Sequence, residues 1–216
     1  MNNRKFSKSA LAKPTKYLLL FKICFVFNVA CAQSPFSQEI EKHREHYKED
    51  FITNENSPLK SEDLKFLDFY TPDENYKVLC KFKPGGMSEP FEIPTSSGSV
   101  KTYVRFGKLA FKVNGKKLHL TVYRSLALMN NPLYKDYLFI PFKDATSGNS
   151  TYGGGRYIDL RMSEFEGKKV WLDFNKSYNP YCAFSEGYSC PIPPKENLLK
   201  VSVEAGEKSY NKPFTP

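Results

Sequence analysis

KLAFKVNGKKLHLTVY, residues 108–123, is the stretch that decides the fold. At its centre Asn114 and Gly115 make the preferred two-residue hairpin turn, because both positions tolerate positive φ. Folding the chain back there sets Val113 against Lys116, Phe111 against Leu118 and Leu109 against Leu120. The apolar residues then meet on one face, so turn chemistry and hydrophobic pattern specify the same register. His119 falls opposite Ala110 on the other face, a place for an exposed or loop-covered imidazole rather than a catalytic one.

The same period of two continues on both sides. In YKVLCKFK, residues 76–83, Tyr76, Val78, Cys80 and Phe82 share a face and Lys77, Lys81 and Lys83 take the other, the pattern of a half-exposed strand with Cys80 as a buried free thiol. Further strands are expected at Tyr137–Phe142, Arg156–Arg161, Lys169–Phe174 and Leu199–Glu204. The helical period is confined to SQEIEKHREHYKEDF, residues 37–51, with Ser37 read as its cap, followed by a short capped turn at Ser61. His43 and His46 have a helix-compatible spacing for metal ligands but lack the zincin arrangement, and an exposed polar helix accounts for them. The chain therefore reads as mainly β, an antiparallel barrel or sandwich with an N-terminal helix.

Residues 1–32 read as a secretory signal peptide. Arg4, Lys5, Lys8, Lys13 and Lys16 precede an apolar run from Tyr17 to Ala32 that contains Lys22 and no acid. The run is too short and too interrupted for a comfortable span of about 20 apolar residues. Ala30-Cys31-Ala32 suits cleavage that leaves Gln33 first, with lipidation at Cys31 and a retained anchor as the competing fates. The expected location is exported, periplasmic or extracellular, with residues 33–216 forming a single β-rich domain and no membrane span in the mature chain.

Removing the leader changes the charge argument. Six of the 32 basic side chains lie in it and none of the 23 acidic ones does, which leaves 26 against 23, a net of +3. That balance gives no support for nucleic-acid binding, which needs a concentrated basic footprint. The remaining 184 residues suffice for one core that buries about 70% of the unfolded surface.

Restricted residues crowd two segments, FIPFKDATSGNSTYGGGRYIDL at 139–160 and DFNKSYNPYCAFSEGYSCPIPPKEN at 173–197. Loops that fix their own geometry are where binding groups are mounted. Gly153, Gly154 and Gly155 lack the Lys-Ser/Thr of a phosphate loop and signal backbone freedom or close approach instead. FxDxTSGxxTYGGGRY at Phe142–Tyr157, DFNxxYNPxCAF at Asp173–Phe184, CPxPPxEN at Cys190–Asn197 and EAGE at Glu204–Glu207 resemble a prokaryotic family known as domain of unknown function sixteen eighty-four. The resemblance implies no activity and carries over no catalytic residue.

Chemistry has to come from the side chains. Asp144 ends the apolar row Leu138, Ile140, Phe142, and Arg156 opens the row Ile158, Leu160, so each charge is aligned with a core face and needs a partner. The two are expected to approach one another, either as a pair that closes the loop or with Arg156 presented to an oxyanion or carbonyl group. Asp144, Tyr152, Arg156, Asp173, Asn175 and Tyr178 form the candidate ligand-binding set, for a small polar or anionic ligand. In VWLDFN the row Trp171, Asp173, Asn175 either lines a pocket or forms an ordinary outer face. The alternative is a hydrolase or lyase in which Asp144, Asp173 or Glu196 acts as acid or base beside Arg156. The remaining reading is a structural clasp with no ligand. Three histidines, no GxSxG and no HExxH speak against serine hydrolase and metalloprotease chemistry, and no cofactor or metal is expected. Cys182 and Cys190, with seven residues between them in a proline-rich loop, read as a disulfide in an oxidising compartment, with zinc ligation as the competitor.

Overall fold

In the computed structural model, which describes residues 33–86 and 88–212, helix α1 (Pro35–Thr53) is followed by strands β1 (Lys77–Pro84), β2 (Phe91–Pro94), β3 (Val100–Val113) and β4 (Lys116–Ser125). A single helical turn, α2 (Leu126–Met129), leads to β5 (Tyr137–Phe142), β6 (Arg156–Arg161) and β7 (Lys169–Asp173). The expected signal peptide and Cys31 lie outside the described residues. The strands make one curled antiparallel sheet, half of a barrel, in the order β6-β5-β4-β3-β1-β7, with β2 added to the start of β3.

The β3–β4 hairpin turns at Asn114, where φ is 49°, and Gly115, where φ is 75°. It pairs Val113 with Lys116, Phe111 with Leu118, Leu109 with Leu120 and Ala110 with His119. Between Arg105 and Gly107 the register shifts by one residue, and this bulge lets a 14-residue strand switch parity. Leu109, Phe111 and Val113 point into the half-barrel, whereas Tyr103 points out of it. Gly107 is required at the bulge: a Cβ there would stand 2.3 Å from the Phe82 ring and 2.6 Å from the Lys83 carbonyl oxygen.

The inner face is apolar. Cys80, Leu109, Leu120, Val122, Leu138, Ile140, Phe142, Leu172 and Phe174 are fully enclosed there. Each large side chain so buried contributes about 1.5–3 kcal/mol. The outer face of β3 to β6 carries a second cluster, Ile93, Tyr103, Tyr123, Phe139 and Tyr157, closed over by Tyr178.

Two sequence expectations are corrected. The cap of α1 is Ser34, whose Oγ accepts from the Ser37 amide at 3.1 Å with Pro35 in the first turn, so the helix begins earlier than Ser37 allows. Leu199–Glu204 is not a strand. Leu199, Val201 and Val203 alternate into the core as their spacing suggests, but the strap they form parts from the segment after β5 once the Leu199 amide has bonded the Lys143 carbonyl at 2.8 Å and the Ala145 amide the Val201 carbonyl at 3.0 Å. The carbonyls of Val203, Ala205 and Glu207 are satisfied by a side chain instead. Arg156, wholly buried, donates from Nη1 to the Ala205 and Glu207 carbonyls and from Nη2 to the Val203 carbonyl at 2.9 Å and to Asp144 Oδ2 at 2.7 Å. Between those carbonyls Gly206 has φ 76°, and a Cβ on it would meet Ser177 Oγ at 2.1 Å.

Asp144 is closed as tightly. Its Oδ1 accepts from the Thr146 amide at 2.6 Å and from the Thr146 hydroxyl. A planar five-donor fork is what this arrangement needs, since one ammonium cannot reach three carbonyls and a carboxylate at once. Arg156→Met is expected to lower stability by about 3–5 kcal/mol, the usual cost of leaving a buried charge without its partner. Arg156→Lys is expected to lose a large share of the same amount. Urea unfolding of both variants checks this, and an Arg156→Lys midpoint equal to that of the native chain would refute it.

Candidate functional site

The two segments singled out in the sequence meet. The Tyr157 amide donates to the Tyr178 carbonyl at 2.9 Å and the Tyr178 amide to the Tyr157 carbonyl at 3.0 Å, so the loop after the glycines and the asparagine-proline turn lie side by side. Tyr152 adds a bond from its hydroxyl to the Cys182 carbonyl at 3.3 Å. Cys182 and Cys190 form a disulfide, with Cα atoms 6.3 Å apart. Cys80 is a buried thiol whose pKa desolvation pushes up to about 12, which leaves it unreactive.

Of the six candidate ligand-binding residues, four are occupied inside the protein. Asp144 and Arg156 hold one another and the strap. Asp173 Oδ1 accepts from the Asn175 amide and side chain at 2.9 and 2.8 Å. Asn175 in turn clamps the Asp73 backbone, accepting from its amide and donating to its carbonyl, both at 2.9 Å. Asp173 and Asn175 thus lock the end of β7 to the segment before β1, while Trp171 from the same row stands exposed on the outer face. Glu196 pairs with Arg105 at 3.1 Å and borders concavities that none of the six lines. Only Tyr178 of the six borders the large cleft described next.

That cleft, about 780 Å³, opens between α1 and the outer face of β6. Its helix wall carries His43, Tyr47 and Phe51, which share one side of α1 through their four-residue spacing. Tyr47 packs against Tyr178 with ring centroids 6.0 Å apart, and Phe51 against Tyr181 at 5.8 Å. A smaller concavity of about 360 Å³, bordered by Tyr137, Tyr157 and the disulfide loop, adjoins it and shares Tyr178 and Tyr181.

Asp159 is set between these aromatic walls, with Asp50 and Lys176 also bordering the cleft. It sits on β6 opposite Phe139 of β5, its neighbours in the strand pointing inward. Oδ1 accepts from Tyr137 Oη at 2.7 Å, and both oxygens accept from Tyr178 Oη at 2.9 Å. Solvent still reaches the residue through the mouth of the cleft, although protein atoms crowd the carboxylate. Desolvation pushes its pKa from 3.8 up to about 6, against the two phenol hydrogen bonds that pull it down. The same burial lifts Tyr137 and Tyr178 well above 10, so both phenols remain donors. His43 is lowered below 6.5 by desolvation and then by Lys176, and is a neutral imidazole at pH 7. No cluster of three metal-ligating side chains occurs among the described residues.

Attention to the apolar rows of β5 and β6 hides this site, because Asp159 belongs to the alternate row. That row reads Tyr157, Asp159, Arg161 on β6 and Tyr137, Phe139 on β5. An acid centred in an aromatic row was the available signal.

Behind Tyr47 lies a second perturbed carboxyl. Glu207 is fully buried, its Oε2 accepting from Tyr47 Oη at 2.9 Å and the Asn179 amide at 2.7 Å, while Oε1 has no partner. Desolvation raises its pKa to about 8, so it is a neutral acid at pH 7. The folded chain keeps a proton that the unfolded chain, with a value near 4.5, releases. The resulting stabilisation is complete below the unfolded value and is lost as pH rises through the folded one. Stability measured by urea unfolding is expected to fall between about pH 5 and about pH 9, and Glu207→Gln to flatten that profile. An unchanged slope in the variant would place the titration elsewhere.

The family model described as Protein of unknown function (DUF1684) matches residues 62–208, a span that contains β1 to β7, Asp159 and Tyr178 but not α1. The solution NMR structure of an uncharacterized protein from Haloarcula marismortui is 30% identical, with a TM-score of 0.62 over 79% of this chain and 92% of that one. Among curated proteins none matches. With the family model covering most of its length and a similar solved fold at this identity, the chain belongs to the DUF1684 family.

Proposed function

We propose that the cleft between α1 and β6 binds a small polar ligand, with Asp159 as the polar anchor and the tyrosines as walls. The observation that carries this reading is a solvent-reached carboxylate held by two phenols inside an aromatic concavity of about 780 Å³. The cleft sets the rings of Tyr47, Phe51, Tyr134, Tyr178 and Tyr181 among polar groups that include Asp50, Asn54 and Lys176, a lining suited to a polar ligand. An ionised Asp159 accepts hydrogen bonds, which favours hydroxyl or amine donors over an anion. Aromatic faces beside it suit a ring or an ammonium group. The class that satisfies both is a polar ring compound bearing amine and hydroxyl groups, of the amino-sugar kind. Export fits this reading, because the Cys182–Cys190 bridge that shapes the smaller concavity is favoured in an oxidising compartment.

A second reading is favoured by the position of the Asp159 pKa near 6, the range useful for general acid–base work, with Asp50 bordering the same cleft. It makes the site that of a hydrolase or lyase. Glucosamine titrated into isotope-labelled protein is expected to shift the amide signals of Tyr137, Asp159 and Tyr178. The shifts should vanish in Asp159→Asn, which removes no core contact, and weaken as pH falls below about 6. Shifts confined to other residues, or unaltered in the variant, would overturn the assignment. Turnover of a glycoside that Asp159→Asn abolishes would move it to catalysis.

A further inference from the structure

The outer face of β7, β1, β3 and β4 differs from the aromatic face beside it. Direct strand partners share a face, and the pairs Lys81 with Lys169, Lys83 with Lys108 and Lys112 with Lys117 therefore set six lysines on one surface. All six are exposed, and among the described residues none has a carboxylate within ion-pairing distance. The acids that border the face are engaged or peripheral: Glu39 pairs with Lys77 and Lys176, Glu196 pairs with Arg105, and Glu74 and Glu166 sit at the rim. The small net charge of the mature chain conceals this concentration.

Within the lysines lies an apolar pair. Leu79 and Trp171 face each other across β1 and β7, and are 45% and 50% exposed. The surface is a sheet face, not a groove, and its lysines carry long alkyl stems that can lie along an interface with the ammonium in the headgroup layer. Tryptophan flanked by lysine is the composition of the membrane–water boundary, and each basic side chain near an anionic leaflet adds attraction.

We infer that this face docks the protein onto an anionic lipid bilayer. A nucleic acid matches the charge, and a single strand can stack a base on Trp171, but it offers no apolar layer for Leu79. Pro35 and Phe36, at the start of the described residues, border the same shallow depression as Trp171.

The mature chain recovered after export from a Cys31→Ser gene, which removes any lipid, supplies the test. It is sedimented with phosphatidylcholine vesicles with and without phosphatidylglycerol, while the emission of Trp171, the only tryptophan, is followed. Binding to the phosphatidylglycerol vesicles with a blue shift is expected, weakening at least about tenfold in the Lys81→Glu, Lys108→Glu double variant and at high salt. Circular dichroism confirms that the variant folds. Three results overturn the proposal: no binding, equal binding to both vesicle types, or undiminished binding by the variant. Tighter binding to a single-stranded oligonucleotide than to vesicles, with no blue shift, would assign the face to a polyanion instead.

Discussion

The burial of one guanidinium sets the terms for the rest of the structure. Arg156 opens β6 with its side chain inside the half-barrel, where it gathers Asp144 from the loop after β5 and three carbonyls from the C-terminal strap. A strap without a strand partner would leave those carbonyls unpaired in an apolar interior, at a cost of about 1–3 kcal/mol each. The guanidinium replaces the missing ladder. Because strand side chains alternate, fixing Arg156 inside also fixes Tyr157 and Asp159 outside. A one-residue slip of β6 would turn Asp159 into the core and Arg156 into the cleft, so the buried cluster and the candidate site are two faces of the same register.

Charge balance in this interior explains the behaviour of Glu207. Asp144 and Arg156 neutralise each other with side chains that have no exposure. An ionised Glu207 would be a second negative charge in the same enclosed region, where desolvation outweighs the help of Asn179, Tyr47 and Arg156. The chain resolves this by keeping Glu207 protonated. The neutral acid still accepts from Tyr47 and Asn179 and so ties α1 to the strap and to the segment that carries Tyr178. In this way the helix wall of the cleft is anchored to the core rather than merely lying on it.

Much of the architecture is legible from local chemistry. Asn114-Gly115 admits one turn and one register, the bounds of β5 and β6 follow from their alternation, and the two cysteines close as their loop suggests. Asp144 and Arg156 stand where each charge would face the core, and they pair. Leu199–Glu204 is misleading for a physical reason: alternation reports which side chains are buried, not what the backbone bonds to, and here the acceptor's partner is a side chain 47 residues away from Val203. The cleft is hidden for another. It is assembled from α1, the segment before β5, β6 and the turn at Tyr178, and no single window of sequence contains it. The densest motif instead marks the loop that holds Arg156, which is a scaffold position.

The bulge after Arg105 joins these observations. Upstream of it β3 sends Tyr103 to the outer face, where it stacks on Phe139 at 5.7 Å and backs the cleft side of the sheet. Downstream, the changed parity sends Lys108 and Lys112 to that same outer face while Leu109 and Phe111 enter the core. An unbroken strand would have kept the parity of Tyr103 and turned Leu109 and Phe111 outward, giving up two core side chains. The extra residue thus divides one continuous outer surface into an aromatic half and a basic half without cost to the interior. Gly107, pressed against Phe82 and Lys83, is where that division is made, and a side chain there would disturb both halves together.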